Sequence, residues 1–172
     1  MCCSCRNQCC CRNRNFCCPN VVFTPQQPIV RPITPVNPVT RNALSAIIGA
    51  STVENNAIVP ITAGVSTPGT SITVSGNSIV IPAGFYAISY GVSGTIPAST
   101  DTESNMSVQL YANGSPISYG KSSTNASSTL PGNMALTILY NAGATTTLTL
   151  NNVSGINAIL TETGVITVQQ II

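Results

Sequence analysis

Apolar and polar residues alternate in short runs from Asn42 to Ile172, and turn-forming residues separate the runs. Alternation with a period of two sends successive side chains to opposite faces of a β-strand. The clearest run begins at Phe85 and places Tyr86, Ile88 and Tyr90 on one face, with smaller residues on the other. No window shows the 3.6-residue period of an amphipathic helix, so the pattern predicts an all-β region.

The runs and the turns between them predict about ten short strands. The dipeptide Asn113-Gly114 is the strongest hairpin signal in the chain, because both residues tolerate positive φ. This many short strands in one region favour a jelly roll, that is, a two-sheet antiparallel β-sandwich, with an extended N-terminal tail ahead of it. The predicted strands span residues 43–49, 57–62, 71–74, 78–81, 85–92, 106–112, 115–120, 133–140, 146–152 and 163–172.

Composition divides the chain into three zones. Residues 1–19 form a cysteine-rich connector, residues 20–41 a proline-rich spacer, and residues 42–172 the jelly-roll head. Closely spaced prolines remove backbone donors and fix φ, which favours an extended spacer over a helix or a central strand. The apolar residues between the prolines either dock on a neighbouring molecule or are simply spacer.

Charged residues make up only 6% of the chain, against about 25% in typical soluble domains, and the net charge is +2. Little charge repulsion keeps such molecules apart, so we expect the chain to associate with itself. Six basic residues in total are too few for a nucleic-acid partner. No apolar run approaches the ~20 residues that span a bilayer, and no secretory signal precedes the first arginine, so we expect synthesis in a cytoplasm.

Groups suited to acid–base catalysis are scarce. Histidine is absent, Lys121 is the only lysine, and the sequence contains four acidic residues. Asp101 and Glu103 are close enough to suggest a carboxylate pair or a calcium site, but a solvated loop is the simpler interpretation. We therefore expect no enzyme activity, no cofactor and no metal site in the head.

All eight cysteines lie in the connector, and most have a cysteine as an immediate neighbour. Vicinal cysteines rarely bond to each other because the resulting ring is strained, so each is expected to seek a distant partner, in this case in another chain. Thiolate metal binding and lipid attachment at the N-terminus remain alternatives. A reducing cytoplasm opposes disulfides, and oxidation after lysis of the producing cell would remove that conflict. The candidates are Cys2, Cys3, Cys5, Cys9, Cys10, Cys11, Cys17 and Cys18.

The run Ile79-Val80-Ile81-Pro82-Ala83-Gly84-Phe85-Tyr86-Ala87-Ile88-Ser89-Tyr90 resembles the strand-turn-strand signature of tumour-necrosis-factor and complement-type globular heads. It is most similar to the C-terminal heads of the collagen-like glycoproteins on Bacillus-type spores, the BclA family. Residues 109–117 and 145–153 support the likeness. The resemblance implies a homotrimer about a threefold axis, with the N-termini on one side, and gives Phe85, Tyr86, Ile88 and Tyr90 the role of a core and trimer strand.

One departure is that no Gly-X-Y collagen stalk precedes the head. The cysteine connector in its place resembles the N-terminal connectors of endospore appendage subunits. The resulting hypothesis is a structural subunit of a disulfide-crosslinked spore-surface fibre, appendage or coat layer. Such a subunit would be made in the mother cell, end on the spore surface or exosporium, and contact itself, with other spore-surface proteins as further candidate partners. The alternatives are a terminal adhesin-type tip and, third, a thiolate metal-binding protein.

Overall fold

The computed structural model describes residues 41–98, 103–161 and 163–171, which belong to one compact unit. Twelve β-strands and no helix occur in these residues, so the predicted all-β class is confirmed. The strands are β1 (Ala43–Ile48), β2 (Ser51–Val53), β3 (Ile61–Ser66), β4 (Thr73–Ser75), β5 (Ser78–Ile81), β6 (Gly84–Thr95), β7 (Ser104–Ala112), β8 (Ser115–Ala126), β9 (Gly132–Ala142), β10 (Thr146–Asn152), β11 (Ala158–Leu160) and β12 (Gly164–Gln170).

The strands form two antiparallel sheets. The larger one has the order β9-β6-β12-β1-β3. The C-terminal end of β6 also pairs with β11, which in turn pairs with β2. The smaller one has the order β4-β5-β10-β7-β8. Most neighbours in the larger sheet and half of those in the smaller are distant in sequence, which is the strand exchange expected of a jelly roll, and the predicted sandwich is confirmed.

The core lies between the sheets and is almost entirely apolar. Alternation in β6 puts Tyr86 and Ile88 at 0% exposure and Tyr90 at 3%, so the predicted inward face of this strand is confirmed. The matching strand β9 buries Met134 and Ile138 in the same way. Burial of such side chains stabilises the head by about 1.5–3 kcal/mol each.

Strands β5 and β10 begin and end where the sequence predicts. The Asn113-Gly114 hairpin is also confirmed, with φ of 50° and 78° at its two central residues. The predicted strand over residues 57–62 was wrong, because the strand in this part of the chain is β3. Residues 56–59 instead run beside β10, where the Val59 N–H donates to Leu150 O at 2.8 Å. Pro60, which lacks an N–H, then separates the two segments.

Three elements were missed or cut short by sequence reasoning. Strands β2 and β11 contain three residues each and pair with each other, too few to produce a periodic signal. Strand β8 continues to Ala126 rather than ending at Gly120, because its polar second half pairs with β7 past an irregularity between Gln109 and Tyr111. The connector, and the spacer apart from Arg41, lie outside the described residues, so their predicted boundaries stay predictions.

Candidate interaction surface

The outer side of the larger sheet carries the side chains that the core does not use. We call this surface, formed by the outward residues of β9, β6, β12, β1 and β3, the neutral face. Several large apolar side chains stand out from it: Ile47 is 41% exposed, Leu139 56%, Val165 44% and Val65 79%. Exposed apolar side chains gathered on one sheet surface are typical of a contact site.

Small residues make part of the neutral face flat. Gly91 lies opposite Ala135 on one side and Val165 on the other, and a β-carbon added to Gly91 would meet nothing within 4 Å. Around Gly91 and Ala135 the surface sinks into a shallow depression of about 210 Å³. A surface of this shape allows another backbone to approach closely.

Four hydroxyls on the neutral face are paired with one another. Ser45 Oγ lies 3.1 Å from Thr167 Oγ1, and Ser89 Oγ lies 2.9 Å from Thr137 Oγ1. Each pair links two adjacent strands. A polar group that already has a hydrogen-bond partner costs much less to remove from water than an unpaired one, so these hydroxyls do not prevent burial of the face.

No charged residue that the structure describes lies on the neutral face. The charged side chains in these residues are Arg41, Glu54, Glu103 and Lys121. Arg41 precedes β1, Glu54 follows β2, and Glu103 precedes β7. Lys121 lies on β8 in the smaller sheet, so covering the neutral face would take none of its described residues' charges out of water.

The outer side of the smaller sheet differs in chemistry. Gln109 and Lys121 lie opposite each other on β7 and β8, and Tyr111 lies opposite Thr149 on β10. The Lys121 ammonium group hydrogen-bonds to water, and burying this charge without a partner would cost free energy. The difference between the two outer sides makes the larger sheet the candidate contact surface.

The structure separates the four residues assigned to the aromatic strand. Tyr86, Ile88 and Tyr90 point inward, and only Phe85 points outward, where it is partly exposed opposite Asn141 of β9. The three inward side chains therefore pack within one head. A role of this strand in trimer contacts stays a prediction, for which Phe85 is the member that a neighbour could touch.

Hydroxyl groups hold the two tyrosines of β6 in place. Tyr86 Oη donates to Pro82 O at 3.0 Å, and Tyr90 Oη crosses to the other sheet, where it donates to Gly120 O at 3.1 Å. Burial raises the pKa of both phenols, and it raises the pKa of Tyr90 to about 12 despite an opposing hydrogen bond from the Ser122 backbone. Tyr90 therefore stays neutral and ties the sheets together over the ordinary pH range.

The candidate cysteines lie outside the described residues, so their pairing stays a prediction. In the part of the chain that is described, no three His, Cys, Asp or Glu side chains come together in a group that could hold a metal ion. The same residues contain no helix long and apolar enough to cross a membrane. Sequence reasoning did not single out the apolar positions of the neutral face, although their alternation with core residues along β9 and β12 was visible.

Comparison with known proteins finds similarity in fold alone. No protein-family model matches the chain, and no curated protein matches its sequence. Among solved structures it is similar to murine APRIL at pH 5.0, with a TM-score of 0.58 and 12% identity, covering 75% of this chain and 98% of that one. The globular domain of zebrafish complement 1qA protein gives 0.56 and 12%, covering 76% and 98%. The Eiger tumour necrosis factor of S. frugiperda gives 0.50 and 15%, covering 77% and 94%.

These likenesses define the class of the head. The described residues adopt the jelly-roll fold of tumour-necrosis-factor and complement 1q globular heads. The predicted jelly-roll fold is thereby confirmed. The likeness to BclA heads and to endospore appendage subunits remains a resemblance carried by the sequence.

Proposed function

We propose that this chain is a non-catalytic structural subunit whose heads form a homotrimer through the neutral face and whose cysteine connectors crosslink the trimers. The observation that carries the proposal is the combination of exposed Leu139 and Val165 with internally paired hydroxyls and no described charge on one sheet surface. Burial of apolar area stabilises such a contact by roughly 25 cal/mol per Å². A threefold arrangement is what the resemblance to globular heads of this fold implies.

The connector gives the second half of the proposal. Eight thiols per chain, in a segment too short for a core of its own, favour bonds to other chains. We place the assembly at the spore surface, as a fibre, appendage or coat layer, because of the sequence resemblances. Synthesis in a reducing mother cell and oxidation after lysis would allow the crosslinks to form late.

The head contact is tested with one substitution on each sheet. Leu139→Asp introduces a carboxylate into the neutral face, and taking an unpaired charge out of water costs several kcal/mol, so we expect monomers in analytical ultracentrifugation under reducing conditions. Thr147→Asp is the matched control, because Thr147 is an exposed strand residue of the smaller sheet, and it should sediment as wild type does. Circular dichroism confirms that both variants are folded. Equal sedimentation of the two variants would show that the heads do not associate through the neutral face.

The crosslinks are tested on a gel. Assemblies boiled in detergent without reductant should keep species larger than one chain, and reductant should convert these to monomers. Monomers alone in the absence of reductant would contradict covalent linkage. Elemental analysis of the same material decides the metal alternative, because several bound metal ions per chain would identify a thiolate cluster instead.

A terminal binding tip is the second candidate, and the loop after β8 favours it. Ser127 Oγ accepts hydrogen bonds from the backbone N–H groups of Thr129 and Leu130, and the ordered loop presents Leu130 at 61% exposure. Negative-stain microscopy separates the candidates. A fibre subunit polymerises when it is expressed alone, whereas a tip stops at the trimer.

A further inference from the structure

Strand β1 is where the head meets the N-terminal tail. The chain enters the described head at Arg41 and Asn42, and β1 begins with the next residue. In the larger sheet β1 is an inner strand, paired over six residues with β12 and over five with β3. A pull on the tail therefore enters the head through a strand that is held on both sides.

The register fixes the direction of that pull. Ala43 at the start of β1 pairs with Gln169 near the end of β12, and Ile48 pairs with Gly164 where β12 begins. A force directed away from the entry end of the head acts along the axis of β1. Hydrogen bonds of an antiparallel ladder run perpendicular to the strands, so this force loads all the pairs together in shear.

Side chains on both faces of β1 oppose sliding. Leu44 is 4% exposed, and Ala46 and Ile48 are fully buried, so a slip of one residue would turn all three out of the core. On the outer side, Ser45 Oγ bonds across to Thr167 Oγ1. Gly64 of β3 lies so close to the Ser45 backbone that an added β-carbon would be 2.3 Å from Ser45 O.

Short hydrogen bonds secure the entry end itself. Asn42 Nδ2 donates to Gln170 Oε1 at 2.6 Å, and the Gln170 N–H donates to Asn42 O at 2.8 Å. On the other side, the Thr67 N–H donates to Ala43 O at 2.9 Å. The first residues of the head are thus fastened where peeling of β1 would begin.

We propose that β1 is the mechanical anchor of the tail: tension on the connector is carried in shear by β12 and β3 together, which keeps the head folded while its neighbours pull on it. The inference rests on the proposed function in one respect, because only a crosslinked tail is put under tension. The geometry of β1 does not depend on the crosslinks.

The test pulls the same two strands from opposite ends. A full-length chain in reductant carries one optical-tweezers handle at its N-terminus. A second handle at Thr163, an exposed residue just before β12, shears β1 along β12. A second handle at the C-terminus instead peels the two strands apart pair by pair from Ala43 and Gln169. We expect the shear geometry to need at least about twice the unfolding force, because several pairs share the load instead of one.

A variant at the entry end provides the control. Asn42→Ala removes the side-chain bond to Gln170, and it should lower the peeling force while leaving the shear force unchanged within error. A shear force equal to or below the peeling force would refute the role of β1 as a mechanical anchor, even if the gel shows crosslinks. Crosslinks that are absent while the shear force remains high would overturn the proposed assembly, and only the shear resistance of β1 itself would stand.

Discussion

Removal of one hydroxyl tests how the two sheets are held together. Tyr90 is 3% exposed, and its Oη donates to Gly120 O at 3.1 Å and, more weakly, lies 3.4 Å from Val108 O. Tyr90→Phe keeps the ring and removes this bond between the sheets. A hydrogen bond of this kind contributes about 1 kcal/mol, and a buried carbonyl left without its donor adds to the loss, so we expect Tyr90→Phe to lower the free energy of unfolding by about 1–2 kcal/mol near neutral pH.

The pH dependence of that difference is a sharper test. Burial holds the pKa of Tyr90 in the folded head at about 12, above the ordinary 10.0 that applies after unfolding. Between these two values the unfolded chain has lost the phenolic proton and the folded head has kept it. Wild-type stability therefore falls by about 1.4 kcal/mol per pH unit as the pH rises through this window, and it is fully present below it.

Phenylalanine cannot titrate, so the lead of wild type over Tyr90→Phe should shrink above pH 10 and be lost before the pH reaches about 12. Tyr86, whose pKa burial also raises, is present in both proteins and cancels in the difference. The measurement is urea unfolding followed by circular dichroism at a series of pH values, in reductant and at one protein concentration. Tyr111→Phe is the control and should change little, because no hydrogen bond of its hydroxyl occurs among the described residues. A constant difference between wild type and Tyr90→Phe across the window would refute this account.

Three further substitutions test local packing by urea unfolding. Asn152 is fully buried, and its Nδ2 lies within 3.1 Å of the carbonyl oxygens of Val53, Glu54 and Ile156, so Asn152→Ala should cost about 2–3 kcal/mol. Gly94→Ala should destabilise the head as well, because its β-carbon would lie 2.7 Å from the Ile159 carbonyl oxygen. Gly91→Ala, made in the Leu139→Asp background so that the contact between heads does not intervene, should not, because an added β-carbon at Gly91 meets nothing within 4 Å.

The parts of the fold that sequence reasoning found are those with a local cause. The alternation that buries Tyr86, Ile88 and Tyr90 is a property of one strand, and the hairpin at Asn113-Gly114 depends on two residues that accept positive φ. Strands β2 and β11 have no such cause, since β2 is extended by pairing with β11, and β11 by pairing with β2 and β6. The second half of β8 is similar: its Ser, Thr and Asn residues would suit a loop, and pairing with β7 makes them a strand.

The sequence predicts that the head has a contact surface, but it does not show which sheet carries that surface. A charged fraction of 6% favours self-association, yet it applies to the whole chain and does not choose a face. Serine and threonine at alternate positions of β6 and β12 look polar in the sequence. Only the register brings Ser89 beside Thr137 and Ser45 beside Thr167, where each hydroxyl satisfies the other. Because those bonds exist before any partner arrives, these hydroxyls can be covered at low cost, whereas covering the smaller sheet would take the charged Lys121 out of water.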